Sequence, residues 1–498
     1  MNPLAQSFAR GAPRPVFHPN IQRKTLLRGV RSNQGALEVV ASGQKVWKDR
    51  KSRKGSVVKK QVSIETRRQL EGARLEGRIL LEETARSLPE IPVAILRHGK
   101  ATYVERGNAL IFPLNIHKID RPDNALLGAP IIIKDGNEQC VGWGVFNPNS
   151  QYRIRVLQIV TEMGKERDAV LDVEKLLQRR IRAAVGLRAM LGLPSESINV
   201  YRLINSDGDR LSGLVVDVFD QVLVVSSTAA WLERYQELII KVLKEETGYK
   251  NVLWRPAPAV LELEGMPNME AKVFSEDDSL DFGDTLTVHE NGVKFHVNLA
   301  GQKTGFYIDQ RESREFIRKL SSGHRVLDLC CYSGGFAINA AAGGATEVKG
   351  VDSSADAIEL ARKNAVLNGV DEVCSFVEAN IVNYMTTAAE NGELWDVVIL
   401  DPPKLAPTRS ALPKAKGRYR KLNRAAVKLV KPGGLLMTCS CSGAMTMSGQ
   451  FPDIVKESVT TLGRSPVLIR KASASPDHVI NPSHLEGEYL TNLVVSIQ

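Results

Sequence analysis

The chain has 498 residues, 43% of them hydrophobic and 24% charged, the composition of a soluble globular protein long enough for two to four domains. No uninterrupted apolar run approaches the roughly 20 residues of a membrane helix, and six cysteines in so long a chain make no disulfide framework, so reduced thiols in a reducing compartment are expected. The formal net charge of +10 does not make the body basic: residues 1–60 carry 14 Lys/Arg against Glu38 and Asp49, which leaves −2 for the rest, so any contact with nucleic acid must rest on local clusters.

Residues 1–41 are rich in Arg and in Ser, Gln and Asn and nearly free of acids, a transit-peptide composition, and Val39-Val40-Ala41-Ser42 has the look of a chloroplast processing site. Import into an organelle, a chloroplast before a mitochondrion, is the expectation; the alternative is a disordered basic tail on a cytoplasmic protein. Residues 42–90 form a basic linker, densest over 48–60, followed by helical spacing over 62–88. Residues 91–157 turn to short strands: Ile131-Ile132-Ile133, a turn at Asp135-Gly136, Val141–Phe146, and Tyr152–Leu157. A small β-barrel fits them. Arg153 and Arg155 would share one strand face and are candidate RNA contacts, against the commoner outcome of a merely solvated face.

Residues 166–280 read as a central α/β domain. Leu177, Ile181, Ala184, Leu187 and Leu191 keep helical spacing, and Leu214–Phe219 and Val222–Ser226 flank a hairpin turn at Asp220-Gln221. A second hairpin is expected around Glu290-Asn291-Gly292. From 324 onward strands and helices alternate as in a doubly wound sheet: strands at 325–329, 347–351, 373–378, 397–400 and 435–438, with helices near 336–342, 354–368 and 419–430.

The first of these strands runs Val326-Leu327-Asp328-Leu329 into Cys330-Cys331-Tyr332-Ser333-Gly334-Gly335-Phe336. Glycines let a nucleotide approach the backbone, and Asp352, ending the next strand, suits a pair of ribose hydroxyls. The dinucleotide fingerprint is absent and no cluster of Arg/Lys awaits a pyrophosphate, so S-adenosyl-L-methionine fits better than a nicotinamide cofactor. Asn380, at the end of the third strand, is a candidate for adenine or a plain turn residue.

Two further strand ends carry reactive groups: Asp401-Pro402-Pro403-Lys404 and Thr438-Cys439-Ser440-Cys441-Ser442. Ligands collect outside the carboxyl ends of such strands, so a thiol nucleophile and an acid/base carboxylate are expected in one site. The two thiols, two residues apart, would face the same side, and nearby Lys/Arg would lower a thiol's pKa. Two thiols with His478 and His484 far off match no zinc spacing, and no metal is expected. Cys330, Cys331 and Cys374 read as structural. Between the two strand ends, residues 402–434 hold ten Lys/Arg and no Asp/Glu. Lys404, Lys414, Lys416, Arg418 and Arg420, mostly in the loop before the helix at 419, point to a polyanionic substrate.

Gln302-Lys303-Thr304-Gly305-Phe306-Tyr307-Ile308-Asp309-Gln310-Arg311, Asp328–Phe336, Asp401-Pro402-Pro403-Lys404, Ser440-Cys441-Ser442-Gly443, Asp477-His478 and Glu486–Leu490 together resemble the ribosomal large-subunit methyltransferase I family, over about residues 91–498. The resemblance implies an RNA-binding barrel of the PUA type at 91–157, a central α/β domain, and a Rossmann-like class I methyltransferase domain at 281–498. It implies S-adenosyl-L-methionine as cofactor, with Lys303, Thr304, Asp309, Tyr332, Gly334 and Gly335 beside Asp328, Asp352, Asn380 and Asp401 as its contacts, and large-subunit ribosomal RNA as partner. The oligomeric state stays open, a homodimer included. In the implied chemistry Cys441, in the Ser-Cys-Ser slot, adds to C6 of cytosine. C5 then takes the methyl group, and Asp401 holds the N3/N4 edge and helps to protonate N3, given a raised pKa. Lys404 stands where two-cysteine relatives carry a releasing Cys, and the base that removes the C5 proton is not legible. The sequence departs from the family pattern at Asn108-Ala109-Leu110, at Leu211-Ser212-Gly213 and at Asn380. The alternatives are a guanine-N7 methyltransferase, which needs no thiol, and a non-catalytic ribosome-assembly factor, which needs none of these side chains.

Overall fold

Among the described residues, turn chemistry and apolar spacing together produce four sheets, built from twenty strands. The computed structural model describes residues 53–276, 285–299, 306–484 and 487–498, with side chains from residue 66 onward. Residues 1–41, with the expected transit peptide and processing site, lie outside the described residues, as do Lys303 and Thr304. The chain divides into residues 1–61 and 62–498; of the first unit only the opening turns of the helix Arg53–Arg86 are described. That helix starts nine residues earlier than spacing suggested, because Lys and Arg are good helix formers and no proline interrupts them. Leu81 on this helix is fully buried, and Arg78 Nε donates to the Cys140 carbonyl at 3.1 Å.

The first sheet comprises β1 (Val93–Leu96), β2 (Leu110–Ile111), β3 (Ile116–Asp120), β4 (Pro130–Lys134), β5 (Cys140–Phe146) and β6 (Ile154–Ile159), in the order β2-β6-β5-β4-β1-β3. Within Gly142-Trp143-Gly144, the tight β5–β6 contact demands glycine: a Cβ on Gly144 would lie 2.1 Å from the Arg155 carbonyl oxygen. Every residue of β6 is buried, so the expected solvated face with Arg153 and Arg155 does not exist. Arg155 is 8% exposed, its guanidinium 3.1 Å from Glu264 and 2.9 Å from Ser212 Oγ. It joins this sheet to the next instead of facing RNA. Arg153, half-buried, donates to the Asn147 carbonyl at 3.4 Å.

The central sheet, β7 (Val200–Asn205), β8 (Leu214–Phe219), β9 (Val222–Ser227), β10 (Asn251–Pro256) and β11 (Lys272–Phe274), runs β11-β10-β9-β8-β7. The β8–β9 turn falls at Asp220, whose φ is 53°. One face packs on the helices Val173–Met190 and Gln236–Thr247 in a core that includes Trp143, Trp231 and Trp254. Leu187 and Leu191, expected on that buried stripe, are 37% and 41% exposed, because Arg188, four residues after Ala184, takes the buried position at 1% exposed. The other face, Phe219, Val222, Val224 and Leu253, shares a core with the hairpin β12 (Thr285–Glu290) and β13 (Val293–Asn298).

The last sheet holds β14 (Arg325–Leu329), β15 (Glu347–Asp352), β16 (Cys374–Glu378), β17 (Trp395–Leu400), β18 (Val430–Ser440), β19 (Pro466–Ala472) and β20 (Thr491–Ile497). Its order is β16-β15-β14-β17-β18-β20-β19, with β14 to β18 mutually parallel and β20 antiparallel to both neighbours. The strand order reverses beside β14, the switch point where α/β sheets take ligands. A buried knot ties this sheet to the central one. Arg311 grips Asp477 with two 3.0 Å bonds, the Arg202 N–H donates to the same carboxylate at 2.9 Å, and Arg188 donates to the Asp477 carbonyl at 2.6 Å and pairs with Asp209. Burial opposes the Asp477 charge, but the bond from His478 and the Arg311 guanidinium hold its carboxyl well below the usual range.

Candidate active site

The chain leaves β14 through three left-handed residues, Cys330 (φ 63°), Tyr332 (φ 49°) and Gly334 (φ 83°). Two of them are not glycine, and strain of this kind, about 1–3 kcal/mol each, persists at functional turns. Gly334 caps the helix Gly335–Ala342. Asp328 is fully buried: Oδ2 accepts the Ala337 N–H at 3.0 Å, while Oδ1 has no hydrogen-bond partner among the described residues. Burial, then the nearby carboxylates of Asp401 and Asp352, push Asp328 up to about 8. Asp352 accepts the Tyr332 N–H on Oδ2 and the Ser354 N–H on Oδ1, both at 3.0 Å. Each carboxylate oxygen has a second lone pair, so a pinned, half-buried Asp352 still presents acceptors for two hydroxyls. The Tyr332 ring stands edge-on to Tyr307 at 5.4 Å. A strained glycine cradle, an orphaned buried carboxylate oxygen and a fixed carboxylate at the next strand end fit S-adenosylmethionine. Asn380 is the N-cap of the helix Ile381–Glu390; its Oδ1 accepts the Val382 N–H at 2.9 Å and the Asn383 N–H at 3.4 Å, which leaves only its NH₂ group for a base.

One strand over, β17 ends into Asp401 and β18 into Cys441. The Cys441 Sγ lies 3.8 Å from the Pro402 carbonyl oxygen and is half-buried. Cys439 does not share its side: it is fully buried, its Sγ accepting from Asn492 Nδ2 at 3.1 Å and Gln310 Nε2 at 3.5 Å. The same Gln310 Nε2 donates to Asp401 Oδ2 at 3.2 Å. The turn after Cys441 is fixed by Ser442 Oγ, which accepts the Ala406 N–H at 3.0 Å, and by the Tyr419 hydroxyl, 2.9 Å from Ser440 Oγ. Burial, then the Asp309 charge, push Asp401 up to about 7. The thiol departs from expectation. Burial, then Asp401 and Asp309, push Cys441 up to about 11, and Lys404 pulls it down by less. A lone exposed lysine beside two carboxylates cannot make a thiolate.

Asp309, expected at the cofactor, has its Oδ2 in a 2.6 Å bond from the Tyr489 hydroxyl, and its charge acts on both Asp401 and Cys441. Gln310, Tyr489, Asn492 and Tyr419 were not singled out from sequence. The first two sit inside quoted motif segments, a signal available but unused; Asn492 and Tyr419 carry no local signal.

The basic stretch also differs from expectation. The helix opens at Leu412, with Pro413 in its first turn where proline is tolerated, and runs to Lys428. Lys414, Lys416 and Arg418 therefore lie on a helix and not in a loop. Lys414, Arg418 and Lys421 are exposed, spaced 4 and 3 residues apart, and Lys416 is half-buried; none has an ion pair among the described residues, and neither does exposed Lys404. Arg420 is 2.8 Å and Arg424 3.8 Å from Glu457.

Residues 94–158 match the model of the PUA-like domain family, and residues 267–477 that of the S-adenosylmethionine-dependent methyltransferases. The chain is 33% identical over 394 residues to the ribosomal RNA large subunit methyltransferase I of Photobacterium profundum, covering 79% of this chain and 96% of that protein. It is 33% identical over 399 residues to the protein of that name from Aeromonas salmonicida, covering 80% and 97%. Among solved structures, SMU.776, a methyltransferase complexed with SAH, superposes with a TM-score of 0.67 at 17% identity over 81% of this chain and 99% of its own. At that identity it speaks for the fold alone.

Proposed function

Because the chain belongs to the ribosomal RNA large subunit methyltransferase I family, we propose that it forms 5-methylcytosine in large-subunit ribosomal RNA through a covalent Cys441 adduct. The observation that carries this reading is the placement of one accessible thiol, Cys441, against the backbone that follows Asp401. A guanine-N7 methyl transfer needs neither group. S-adenosylmethionine supplies an electrophilic methyl group on a sulfonium. Asp328, Gly334, Gly335 and Asp352 would hold it by the acceptors and the bare backbone described above. The target base enters unpaired or flipped, since no side chain reaches C6 within a stacked duplex.

Cys441 adds to C6 while Asp401 faces the N3/N4 edge. The reacting form carries one proton, at Asp401 or N3, and none on Sγ. That is the same proton count as the form with ionised Asp401 and neutral thiol, which predominates between about 7 and about 11. The sign follows. Below about 7 both groups are protonated and the rate of adduct formation rises with pH as one proton leaves; above about 7 it is level. Gln310, Asp309 and Arg314 are the other polar neighbours that set the Asp401 value. Asp401→Asn should lower the rate and abolish the limb at about 7 in single-turnover kinetics.

The direct test is methyl incorporation into large-subunit ribosomal RNA followed by nucleoside analysis. Cys441→Ala should give no 5-methylcytidine while still binding S-adenosylmethionine. Cys439→Ala should keep most of the activity and lose about 1–3 kcal/mol of stability, since it leaves the buried Asn492 amide unpaired. An active Cys441→Ala protein would overturn the covalent reading.

A further inference from the structure

Forming 5-methylcytosine through a C6 adduct leaves a proton on C5 that some group must take. The proton sits on the carbon next to the one that carries Sγ, so the base must stand at the same mouth as Cys441. Of the titratable groups placed there, Asp401 already faces the N3/N4 edge, Lys404 is a cation, and Cys439 is sealed behind Gln310 and Asn492. Asp328 is fully buried and Asp352 holds the Tyr332 and Ser354 N–H groups. Asp309 is left.

Its position is fixed from three sides. The backbone carbonyl accepts both the Ser475 N–H at 2.8 Å and Ser475 Oγ at 3.0 Å. The next residue, Gln310, bonds Asp401. The Tyr489 hydroxyl donates to Oδ2 at 2.6 Å, while Oδ1 accepts no hydrogen bond among the described residues. Tyr489 itself lies over the turn that Cys441 begins: a Cβ on Gly443 would sit 3.8 Å from the tyrosine Cβ, and Thr446 Oγ1 donates to the Tyr489 carbonyl at 3.1 Å. The half-buried carboxylate is therefore anchored through one oxygen and free at the other, beside the nucleophile.

We propose that Asp309 is the general base that removes the C5 proton, positioned by the Tyr489 hydroxyl. This rests on the 5-methylcytosine reading. The carboxylate takes the proton; the C5–H pair forms the C5=C6 double bond; the C6–Sγ bond breaks, and Cys441 leaves as thiolate. Asp309 then holds one proton, which it passes to water before the next turnover.

The test uses the full chain, methyl-tritiated S-adenosylmethionine and in vitro transcribed large-subunit ribosomal RNA, made with ordinary cytidine or with 5-fluorocytidine, whose fluorine no base can remove. Asp309→Asn should methylate ordinary RNA once and then stall, accumulating a labelled protein–RNA adduct stable in SDS, with release slowed at least about 100-fold, the lower range for general-base catalysis. Wild-type protein should show that adduct only with 5-fluorocytidine RNA, and Asp309→Asn should trap that RNA as well as wild type does. Turnover of Asp309→Asn within about threefold of wild type on ordinary RNA would overturn the proposal. So would loss of the 5-fluorocytidine adduct in Asp309→Asn alone, which would make Asp309 structural. Absence of that adduct from wild type would overturn the covalent reading, and this assignment with it. Tyr489→Phe should accumulate the adduct on ordinary RNA to an intermediate level; wild-type release there would remove Tyr489 from the positioning role.

Discussion

The Arg153-Ile154-Arg155 run that enters strand β6 and the helix Leu412–Lys428 both carry basic residues at regular spacing, and they use these charges in opposite ways. In β6 the guanidinium of Arg155 is turned inward, against Glu264, Ser212 and the face of Tyr152 at 5.3 Å. In the helix, Glu457 engages Arg420 and Arg424, and Lys414, Arg418 and Lys421 are left exposed with no ion pair among the described residues. The difference lies in which carboxylates the fold brings within reach. A cation beside a buried acid is committed to the fold, whereas an exposed one-sign helical face is available to phosphates.

The sharpest way to break this contrast is Arg155→Met. It leaves Glu264 buried with Asn147, Ser150 and the Ala230 N–H but without a counter-charge, and removal of one partner of a buried pair costs about 3–5 kcal/mol. The urea midpoint should fall and the salt dependence of RNA binding should not change; a flattened salt dependence at unchanged stability would place β6 at the RNA. The triple substitution Lys414→Ala, Lys416→Ala and Arg418→Ala should do the reverse. For single strands the salt slope is about −0.7 per phosphate contact, so the slope should flatten by about two units with cofactor affinity unchanged. An unaltered slope would move the RNA path off this helix. Arg420→Ala should do least, under about 1 kcal/mol in stability and a smaller slope change than any single member of the triple, because Glu457 already holds it.

What was legible divides along a similar line. Local rules located Asp220-Gln221, Asn291-Gly292 and the glycine segment after β14 as turns, because backbone preference at those residues is decided by their neighbours in sequence. The strand ends at Asp401 and Cys441 were legible for the same reason. Arg155 was not: its partner Glu264 lies 109 residues away, and nothing in an Arg-Ile-Arg alternation announces a second sheet packed on it. The start of the basic helix was missed, although Pro413 in its first turn is compatible with it. The inequality of Cys439 and Cys441 was missed because strand alternation was carried past Ser440, where β18 ends and the chain turns. The raised Cys441 value was missed because its largest cause is burial, which spacing does not report.

The Asp477 knot has a consequence for the order in which the protein takes shape during its own synthesis. Arg188 and Arg202 belong to the central sheet and its helix, and the carboxylate and carbonyl they meet are provided by a residue 275 positions further along than Arg202. At roughly 5–20 residues per second, the ribosome delivers that residue about 14–55 s after the arginine. Through that interval Asp209 and Asp217 already hold the two side chains, but one Arg188 guanidinium bond and the Arg202 backbone N–H have no Asp477 to meet. A chain released before Asp477 would not merely lack its C-terminus. Its central sheet would also lack acceptors for these two donors, and limited proteolysis should cut it faster than the full chain.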